Sequence, residues 1–240
     1  SRPLQSRATS VAPRASGTRA ISAERWELAP RPLNIEQQIA GIQGVGFAER
    51  LPISGIDNHR AAIRADGFPD YEIHPHDATQ SVFAPVVYIE PFDATNRPSL
   101  GFDLLSVPEA RGAMEKACDT DDASLSEQIR LPLSGGLAEP RKGVLMFVPV
   151  YRQNAAKGTF DERREALIGW TFSPLEEDSL INAILEPWDR QEDATLDVEI
   201  RDGLNKLAAT RLFDSKREHE VTPASLFYQS RLIDFNGRQW

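Results

Sequence analysis

Prolines interrupt an apolar, β-rich stretch of the chain, SVFAPVVYIEPFDATNRPSLGFDL, at residues 81–104. Proline donates no hydrogen bond to a strand ladder, so it occurs at strand edges, at strand starts and in bulges. Pro85 therefore predicts an edge strand or a bulged strand beside a pocket or rim. Asp93, Asn96 and Pro98 are typical turn residues and predict that the strand ends before them. A regular central strand is excluded for this stretch.

Short β-rich segments bounded by glycine, proline and polar residues recur along the chain, and they predict an antiparallel sheet with helices around it. One helix is predicted at residues 55–65. A second begins at Ser106, because Ser106 and Glu109 have the spacing of a capping box, and runs to about residue 117. The predicted strands of this part of the chain are IQGVGFAERLP, FPDYEIHP, SLSEQIRL, GVLMFVPVYR and ALIGWTFSPL, besides the one within residues 81–104.

After residue 172, a helix followed by strands is predicted again. The segment SPLEEDSLINAILEP has acidic residues where the first helical turn would lie and apolar residues near helical spacing, so it predicts a helix that ends before Pro187. Three further strands are predicted in LDVEIRDG, KLAATRLFDS and LFYQSRLIDFNGRQW. The fold class is therefore α+β, with two small units. We expect a tail or stalk remnant at residues 1–37, a first unit at 38–172 and a second at 173–240.

The net charge limits the kinds of partner that the chain can bind, and the cysteine content bears on its compartment. The chain has 240 residues, a net charge of −9 and a pI near 5.0, which excludes a nucleic-acid surface because such surfaces rely on Lys and Arg. Its single cysteine, Cys118, allows no intramolecular disulfide and leaves the compartment open. No stretch approaches the ~20 apolar residues that span a bilayer, and the first residues lack the apolar centre of a signal peptide.

Grouped catalytic residues are absent from the sequence. It contains no GxSxG or HExxH motif, no phosphate-binding loop and no histidine near Cys118, so we expect neither an enzyme nor a bound cofactor. His74 and His76 in HPHD lie two residues apart, and Asp77 would complete a zinc triad. The alternative is a solvated loop, because Pro75 and other turn formers surround the histidines. We expect the loop, and no metal.

Five segments, in order and approximate spacing, resemble the CHASE sensory domain. This domain occurs in the extracytoplasmic part of bacterial histidine kinases and diguanylate cyclases and of plant cytokinin receptors. The resemblance covers about residues 38–240, and its most specific pieces are YIEP, LGFDL and PVY. The segments are IQGVGFAERLP (42–52), FAPVVYIEP (83–91), LGFDLLSVPEARGAMEKACDT (100–120), VLMFVPVYR (144–152) and ERREALIGWTFSP (162–174).

The resemblance implies a stalk helix followed by two PAS-like antiparallel-sheet units in tandem, with a small molecule bound in the membrane-distal unit. The stalk helix is not evident in residues 1–30 and is expected to be truncated or absent. The implied role is the periplasmic sensor part of an inner-membrane receptor in two-component or cyclic-dinucleotide signalling. Flanking transmembrane helices and a kinase or cyclase output domain are expected outside this chain, and a homodimer in the full receptor. The alternative is a protein-binding or dimerisation module without a small ligand.

A PAS-like sheet curves around its ligand, so the proline-interrupted strand is expected to form one wall of a mostly apolar pocket. On one strand, Phe83, Pro85 and Val87 would share a face. By the resemblance, residues 102–104 lie where the cytokinin receptors make a main-chain contact to their ligand. The predicted ligand-binding residues are Ser81, Phe83, Pro85, Val87, Phe102, Asp103 and Leu104.

Two alternatives stay open for these residues. All of them are also compatible with ordinary core packing. Asp103 and Glu90 instead fasten turns if they accept hydrogen bonds from backbone N–H groups. Ser81 stands where the resemblance places the adenine-recognising aspartate of the cytokinin receptors, and serine lacks the charge of a carboxylate. Adenine-type ligands are therefore one option among small organic molecules, and not the favoured one.

Overall fold

A computed structural model describes residues 42–131 except 78 and 95, and residues 141–176, 181–182, 198–202, 210–214, 229–236 and 238–239. The predicted stalk remnant and most of the predicted helix after residue 172 lie outside these residues. The described part is α+β. Its helices of more than one turn are α1 (Ile56–Ala65), α2 (Pro108–Thr120) and α3 (Phe160–Ala166), and short 3-10 turns lie at Ile53–Gly55, Arg97–Ser99 and Leu104–Ser106.

The largest sheet within these residues is antiparallel and six-stranded, in the order β4–β1–β8–β7–β5, with β6 also paired to β7. Two-stranded sheets are formed by β2 with β3, β9 with β10, and β11 with β12. The strands are β1 (Val45–Glu49), β2 (Leu51–Pro52), β3 (Val82–Phe83), β4 (Val86–Glu90), β5 (Ser124–Leu125), β6 (Ile129–Leu131), β7 (Arg141–Tyr151), β8 (Leu167–Glu176), β9 (Glu199–Asp202), β10 (Thr210–Asp214), β11 (Asp234–Phe235) and β12 (Arg238–Gln239).

The prediction from Pro85 is confirmed, since β4 is an edge strand of the large sheet and Pro85 directly precedes it. The strand also bulges, because Phe47 pairs with Tyr88 and Ala48 with Val86, which leaves one residue of β4 between the two pairs. The predicted common face of Phe83, Pro85 and Val87 is wrong. Phe83 belongs to β3, which pairs with β2, and the chain leaves regular strand geometry before β4 begins.

Helix α2 covers the large sheet with its apolar face. The indole Nε1 of Trp170 donates a hydrogen bond to the backbone oxygen of Met114 at 2.9 Å, which joins the helix to β8. Phe147 and Phe172 fill the space between sheet and helix, so this side of the sheet is packed core. The buried residues of α2 recur at helical spacing and are Ala110, Ala113, Met114, Ala117 and Cys118.

The start of α2 differs from the prediction. The helix begins at Pro108, and the preceding Val107 makes no side-chain capping bond. The hydroxyl of Ser106 instead donates to the backbone oxygen of Asp103 at 2.6 Å, so the predicted capping box is wrong. Proline suits the first helical position because it lacks the N–H that would be unpaired there.

Two other predictions differ from the structure. The segment FPDYEIHP is not a strand; its only bridge joins His74 to Phe102. Of the helix predicted in residues 173–187, residues 181–182 are helical, and residues 177–180 and 183–187 lie outside the described residues. Its predicted start at Ser173 is wrong, because residues 173–176 are the end of β8, where Pro174 lies opposite Leu145 of β7. There the burial of Leu175 outweighs the local helix signals. Strand β8 therefore crosses the expected unit boundary at residue 172.

The C-terminal strands confirm two of the three predicted there, since β9 and β10 lie within LDVEIRDG and KLAATRLFDS. The last described residues form a hairpin, β11–β12, that contacts its surroundings through a side chain and a backbone oxygen. The Nε of Arg238 donates to Asp202 in β9 at 2.9 Å, and the backbone N–H of Leu125 donates to the oxygen of Asn236 at 3.3 Å. The hairpin thus touches both β9 and the large sheet. The tandem PAS-like arrangement and the division into units stay predictions.

Candidate ligand-binding site

Asp103 joins the two ends of the proline-interrupted stretch. Its carboxylate is fully buried, and Oδ1 accepts hydrogen bonds from the backbone N–H of Ala84 at 2.7 Å and of Leu105 at 3.2 Å. Pro85 forms a bridge with Asp103, and the N–H of Leu104 donates to the oxygen of Ala84 at 3.1 Å. The structure thus brings Pro85, Asp103 and Leu104 together, and it confirms the turn-fastening alternative for Asp103.

The two predicted phenylalanines lie in different surroundings. Phe83 is fully buried in a small core against α1, with His76 stacked on its ring at 5.3 Å. Phe102 is half-buried and packs against the main core, with the ring of His74 edge-on at 5.7 Å. Their role in ligand binding stays a prediction.

The other two predicted residues lie outside these clusters. Ser81 is exposed, and its backbone oxygen accepts a hydrogen bond from the N–H of Ile53 at 2.9 Å. Val87 is half-buried and is the extra residue of the β4 bulge. None of the seven predicted residues lines either of the two clefts described below, and their role in ligand binding stays a prediction.

A cleft of about 540 Å³ opens beside this stretch, between the loop after α1 and the segment that follows β4. We call it the Phe92 cleft. None of the seven predicted residues lines it, although it reaches to within two residues of Phe102. Its lining residues are Gly67, Phe68, Pro69, Asp70, Tyr71, Glu72, His74, Phe92, Arg97, Pro98 and Leu100.

Two aromatic rings and one guanidinium form a wall of the Phe92 cleft. The rings of Phe68 and Phe92 are 5.8 Å apart between centroids and 87° apart in orientation, the edge-to-face geometry that aromatic pairs prefer. The Cζ of Arg97 lies 5.4 Å from the centroid of Phe92, within cation–π range. These contacts hold the two rings and the guanidinium together as one wall.

The carboxylate of Glu72 is paired from both sides by arginines of α1. Arg60 Nε lies 3.0 Å from one oxygen, and Arg64 Nη2 contacts the other. Arg64 also donates from Nε to the backbone oxygen of Tyr71 at 3.1 Å. The α1 arginines therefore hold the loop at residues 71–72 in place and neutralise Glu72. Among the described residues, Arg97 makes no ion pair of this kind.

The tautomer of His74 follows from its contact with the backbone oxygen of Leu100. Its Nε2 lies 3.2 Å from the backbone oxygen of Leu100, and a carbonyl oxygen accepts only, so Nε2 carries the hydrogen. The neutral ring then has Nδ1 as a hydrogen-bond acceptor. His74 thus supplies the cleft with an acceptor.

Tyr71 connects the cleft to the large sheet through His59. The Nδ1 of His59 lies 3.0 Å from the carboxylate of Glu49 in β1, and its Nε2 lies 2.9 Å from the hydroxyl of Tyr71. A carboxylate accepts, so Nδ1 donates to it, and in neutral His59 the other nitrogen accepts from the tyrosine. Burial, and then the negative charge of Glu49, raise the pKa of Tyr71 far above its ordinary value. The tyrosine therefore stays protonated.

The HPHD residues are engaged separately. Asp77 Oδ1 accepts from the hydroxyl of Thr79 at 2.7 Å and from its backbone N–H at 2.8 Å, and these bonds lower the pKa of Asp77. His74 and His76 contact Phe102 and Phe83 respectively. Within the described ranges, no three His, Cys, Asp or Glu residues are grouped to hold a metal ion.

A second cleft, of about 460 Å³, lies along the outer side of α2. Its lining includes Glu109 and Lys116 of α2 and Arg238 of the C-terminal hairpin. Arg238 Nη1 is 3.7 Å from Glu127, so the cleft lies at the junction of sheet and hairpin. This cleft lacks an aromatic wall, since its other lining residues are Pro108, Gly112, Ala113, Ser124, Leu125 and Glu127.

Sequence reasoning missed Phe68, Phe92 and Arg97. The segment PFDATNRP was interpreted only as turn chemistry. An aromatic residue and an arginine at opposite ends of one tight turn are a signal for stacking that was available. No sequence signal placed Phe68 against Phe92, because the two residues are 24 positions apart and meet only in the folded chain.

This geometry defines an α+β domain with a small cleft beside the edge strand of its largest described sheet. A comparison with protein families matches residues 19–213 to the CHASE domain. The chain belongs to the CHASE domain family, whose members are extracellular sensory domains of membrane receptors. A comparison with curated proteins found no match. Within the part of the chain that the structure describes, no helix is long and apolar enough to cross a membrane.

Proposed function

We propose that this chain is the ligand-binding sensor of a membrane receptor and that the Phe92 cleft holds the ligand. The observation that carries the proposal is the wall of Phe68, Phe92 and Arg97 in a cleft of about 540 Å³. Small-molecule sites are concave, mostly apolar and supplied with a few placed polar groups. Family membership supports the sensory role.

The packed core supports the choice of this cleft. The side of the sheet that faces α2 is filled by Phe147, Trp170 and Phe172, so a ligand there would have to displace core side chains. The proline-interrupted stretch then has a structural role beneath the cleft. Its buried Asp103 carboxylate fastens residues 84 and 105, and the segment that precedes Asp103 lines the cleft.

The hydrogen-bonded residues Tyr71, His59 and Glu49 give the cleft a connection to the sheet. A ligand that favours one position of the 67–72 loop over another would shift the position of β1 through them, since a ligand moves an equilibrium only by its differential affinity. The proposed setting is periplasmic, with two chains associating in the full receptor and a histidine kinase or diguanylate cyclase as output. The two units would be PAS-like, and a ligand-free protein-binding module is the alternative.

Small molecules that stay bound through purification test the proposal. We expect mass spectrometry of the released molecules to detect a compound with the wild-type chain that is lost or strongly reduced with Phe92→Leu. The matched control is Phe160→Leu, because Phe160 is also a phenylalanine beneath an arginine but is 59% exposed and outside the cleft. A compound that both variants retain at the wild-type level would contradict the Phe92 cleft as its site.

A further inference from the structure

We infer that the Phe92 cleft takes a planar aromatic carboxylate, with its ring against Phe68 and Phe92 and its carboxylate at Arg97. The inference rests on the proposed function of the cleft. It assigns a chemical class of ligand from the side chains that line the site.

The aromatic and apolar residues that line the cleft are the reason to expect a flat ring in the ligand. Phe68 and Phe92 are both half-buried, so part of each ring contributes to the cleft surface. Pro69, Pro98 and Leu100 complete an apolar surround. A flat ring can extend the edge-to-face pair at 5.8 Å without rearranging it, because aromatic rings associate in offset or edge-on geometries at these distances.

The guanidinium of Arg97 is the reason to expect a negative charge on the ligand. The cation–π contact with Phe92 places the guanidinium of Arg97 at the cleft and uses none of its N–H groups in a hydrogen bond. Two such groups side by side match a carboxylate, which they bind in a bidentate manner. The acid Glu72 does not compete, since Arg60 and Arg64 already pair with its two oxygens. Asp70 also lines the cleft and is exposed to solvent, which screens its charge.

A hydrogen-bond acceptor in the lining, His74, further restricts the chemical class of the ligand. His74 donates from Nε2 to Leu100, so its neutral ring offers an acceptor to the cleft. A ligand ring that carries an N–H or O–H group would satisfy that acceptor. Indole-3-acetate combines a flat ring, a carboxylate and a ring N–H, and it serves as the probe. Adenine-type molecules carry no negative charge and leave Arg97 unpaired.

Calorimetric titration of the purified chain tests the class. The probes are indole-3-acetate, its uncharged amide indole-3-acetamide, and isopentenyladenine. We expect the acid to bind at least about tenfold more tightly than the amide, because hydrogen bonds between two charged groups are about twice as strong as neutral ones. Arg97→Gln should remove this preference, so that the acid and the amide bind with equal affinity.

The matched control is Arg163→Gln, because the guanidinium of Arg163 also stacks on a phenylalanine, Phe160, at 4.9 Å but lies outside the cleft. That variant should keep the full preference for the acid. Melting temperatures within about 2 °C of the wild type would show that both variants are folded.

Three outcomes overturn the carboxylate class. They are equal affinity for acid and amide, a preference that survives Arg97→Gln, and no binding of the acid. Isopentenyladenine that binds more tightly than the acid, with an affinity that Phe92→Leu weakens, would overturn the class while supporting the cleft as a ligand site. If none of the three probes binds, the carboxylate class is wrong, and mass spectrometry of co-purified molecules tests the proposed function separately.

Discussion

The backbone N–H of Ala84 donates a hydrogen bond of 2.7 Å to the carboxylate of Asp103, and both residues are completely buried. This bond holds the turn between β3 and β4 against the segment that leads into α2. It explains why an acid lies within an otherwise apolar stretch. The same oxygen also accepts from Leu105, so one side chain satisfies two backbone donors in the interior.

Replacing Asp103 by alanine should therefore destabilise the fold strongly. Two buried N–H groups lose their acceptor, which costs about 2–4 kcal/mol in the free energy of unfolding. Asp103→Asn keeps one acceptor oxygen and should cost less. Urea denaturation measures both, with Glu115→Ala as a control, because Glu115 is exposed on α2 and its loss should change stability by less than about 0.5 kcal/mol. Equal effects for Asp103→Ala and Glu115→Ala would contradict the fastening role.

Gly101 should tolerate no side chain. Its φ angle is +83°, and an added Cβ would lie 2.1 Å from the backbone oxygen of Glu72. We expect Gly101→Ala to destabilise the protein by more than about 1 kcal/mol. Gly112→Ala is the matched control, because no atom lies within 4 Å of its added Cβ and alanine favours the helix by up to about 1 kcal/mol. Thermal unfolding should thus move in opposite directions for the two variants, and a shared direction would contradict this account.

The sequence predicted the elements whose signals are local. The proline before β4 correctly predicted an edge strand, whereas α2 was predicted from a capping box that does not form, although its buried residues do recur at helical spacing. The predicted helix start at Ser173 is wrong because β7 offers Pro174 and Leu175 a partner strand, and tertiary pairing outweighs acidic first-turn residues. The capping box of α3, Thr159 with Glu162, was present in the sequence and was missed.

The candidate site was less predictable than the sheet. Its wall forms where Phe68 meets Phe92, which requires the loop after α1 to fold back against the segment after β4. The α1 arginines that secure this loop through Glu72 and Tyr71 act over seven positions or more in the sequence. Strand and helix periodicity carries no information on contacts of that kind.

The single thiol should be unreactive in the folded protein. Cys118 is 3% exposed in the core face of α2, and burial raises the pKa of its thiol. Because the thiolate is the reactive form, iodoacetamide should label the native chain slowly and the urea-unfolded chain fast. With one cysteine in the chain, total labelling measured by mass spectrometry reports on this site alone. Equal labelling rates in the two states would contradict the packing of α2.

The pair of Asp119 and Arg164 should give a small pH-dependent contribution to stability. Hydrogen bonds from Arg164, at 2.7 and 2.8 Å, lower the pKa of Asp119 below its ordinary value of 3.8. A folded-state pKa below the unfolded value stabilises the fold at higher pH, and this contribution is lost as the pH falls through the folded pKa. Asp119→Asn should thus lower the melting temperature slightly at pH 7, with the difference from wild type shrinking below pH 3.8. A difference that grows on acidification would contradict the pairing.

The Phe92 cleft is the central claim, and amide chemical-shift mapping by NMR tests it most directly. The ¹⁵N-labelled chain is titrated with indole, benzoate, indole-3-acetate and adenine, which span neutral and charged aromatic probes. We predict that at least one probe shifts amide signals concentrated in residues 67–72, 74 and 92–100, and that Phe92→Leu weakens the effect. Shifts concentrated along α2 and β5, at the other cleft, or no localised shifts with any probe, would contradict the account.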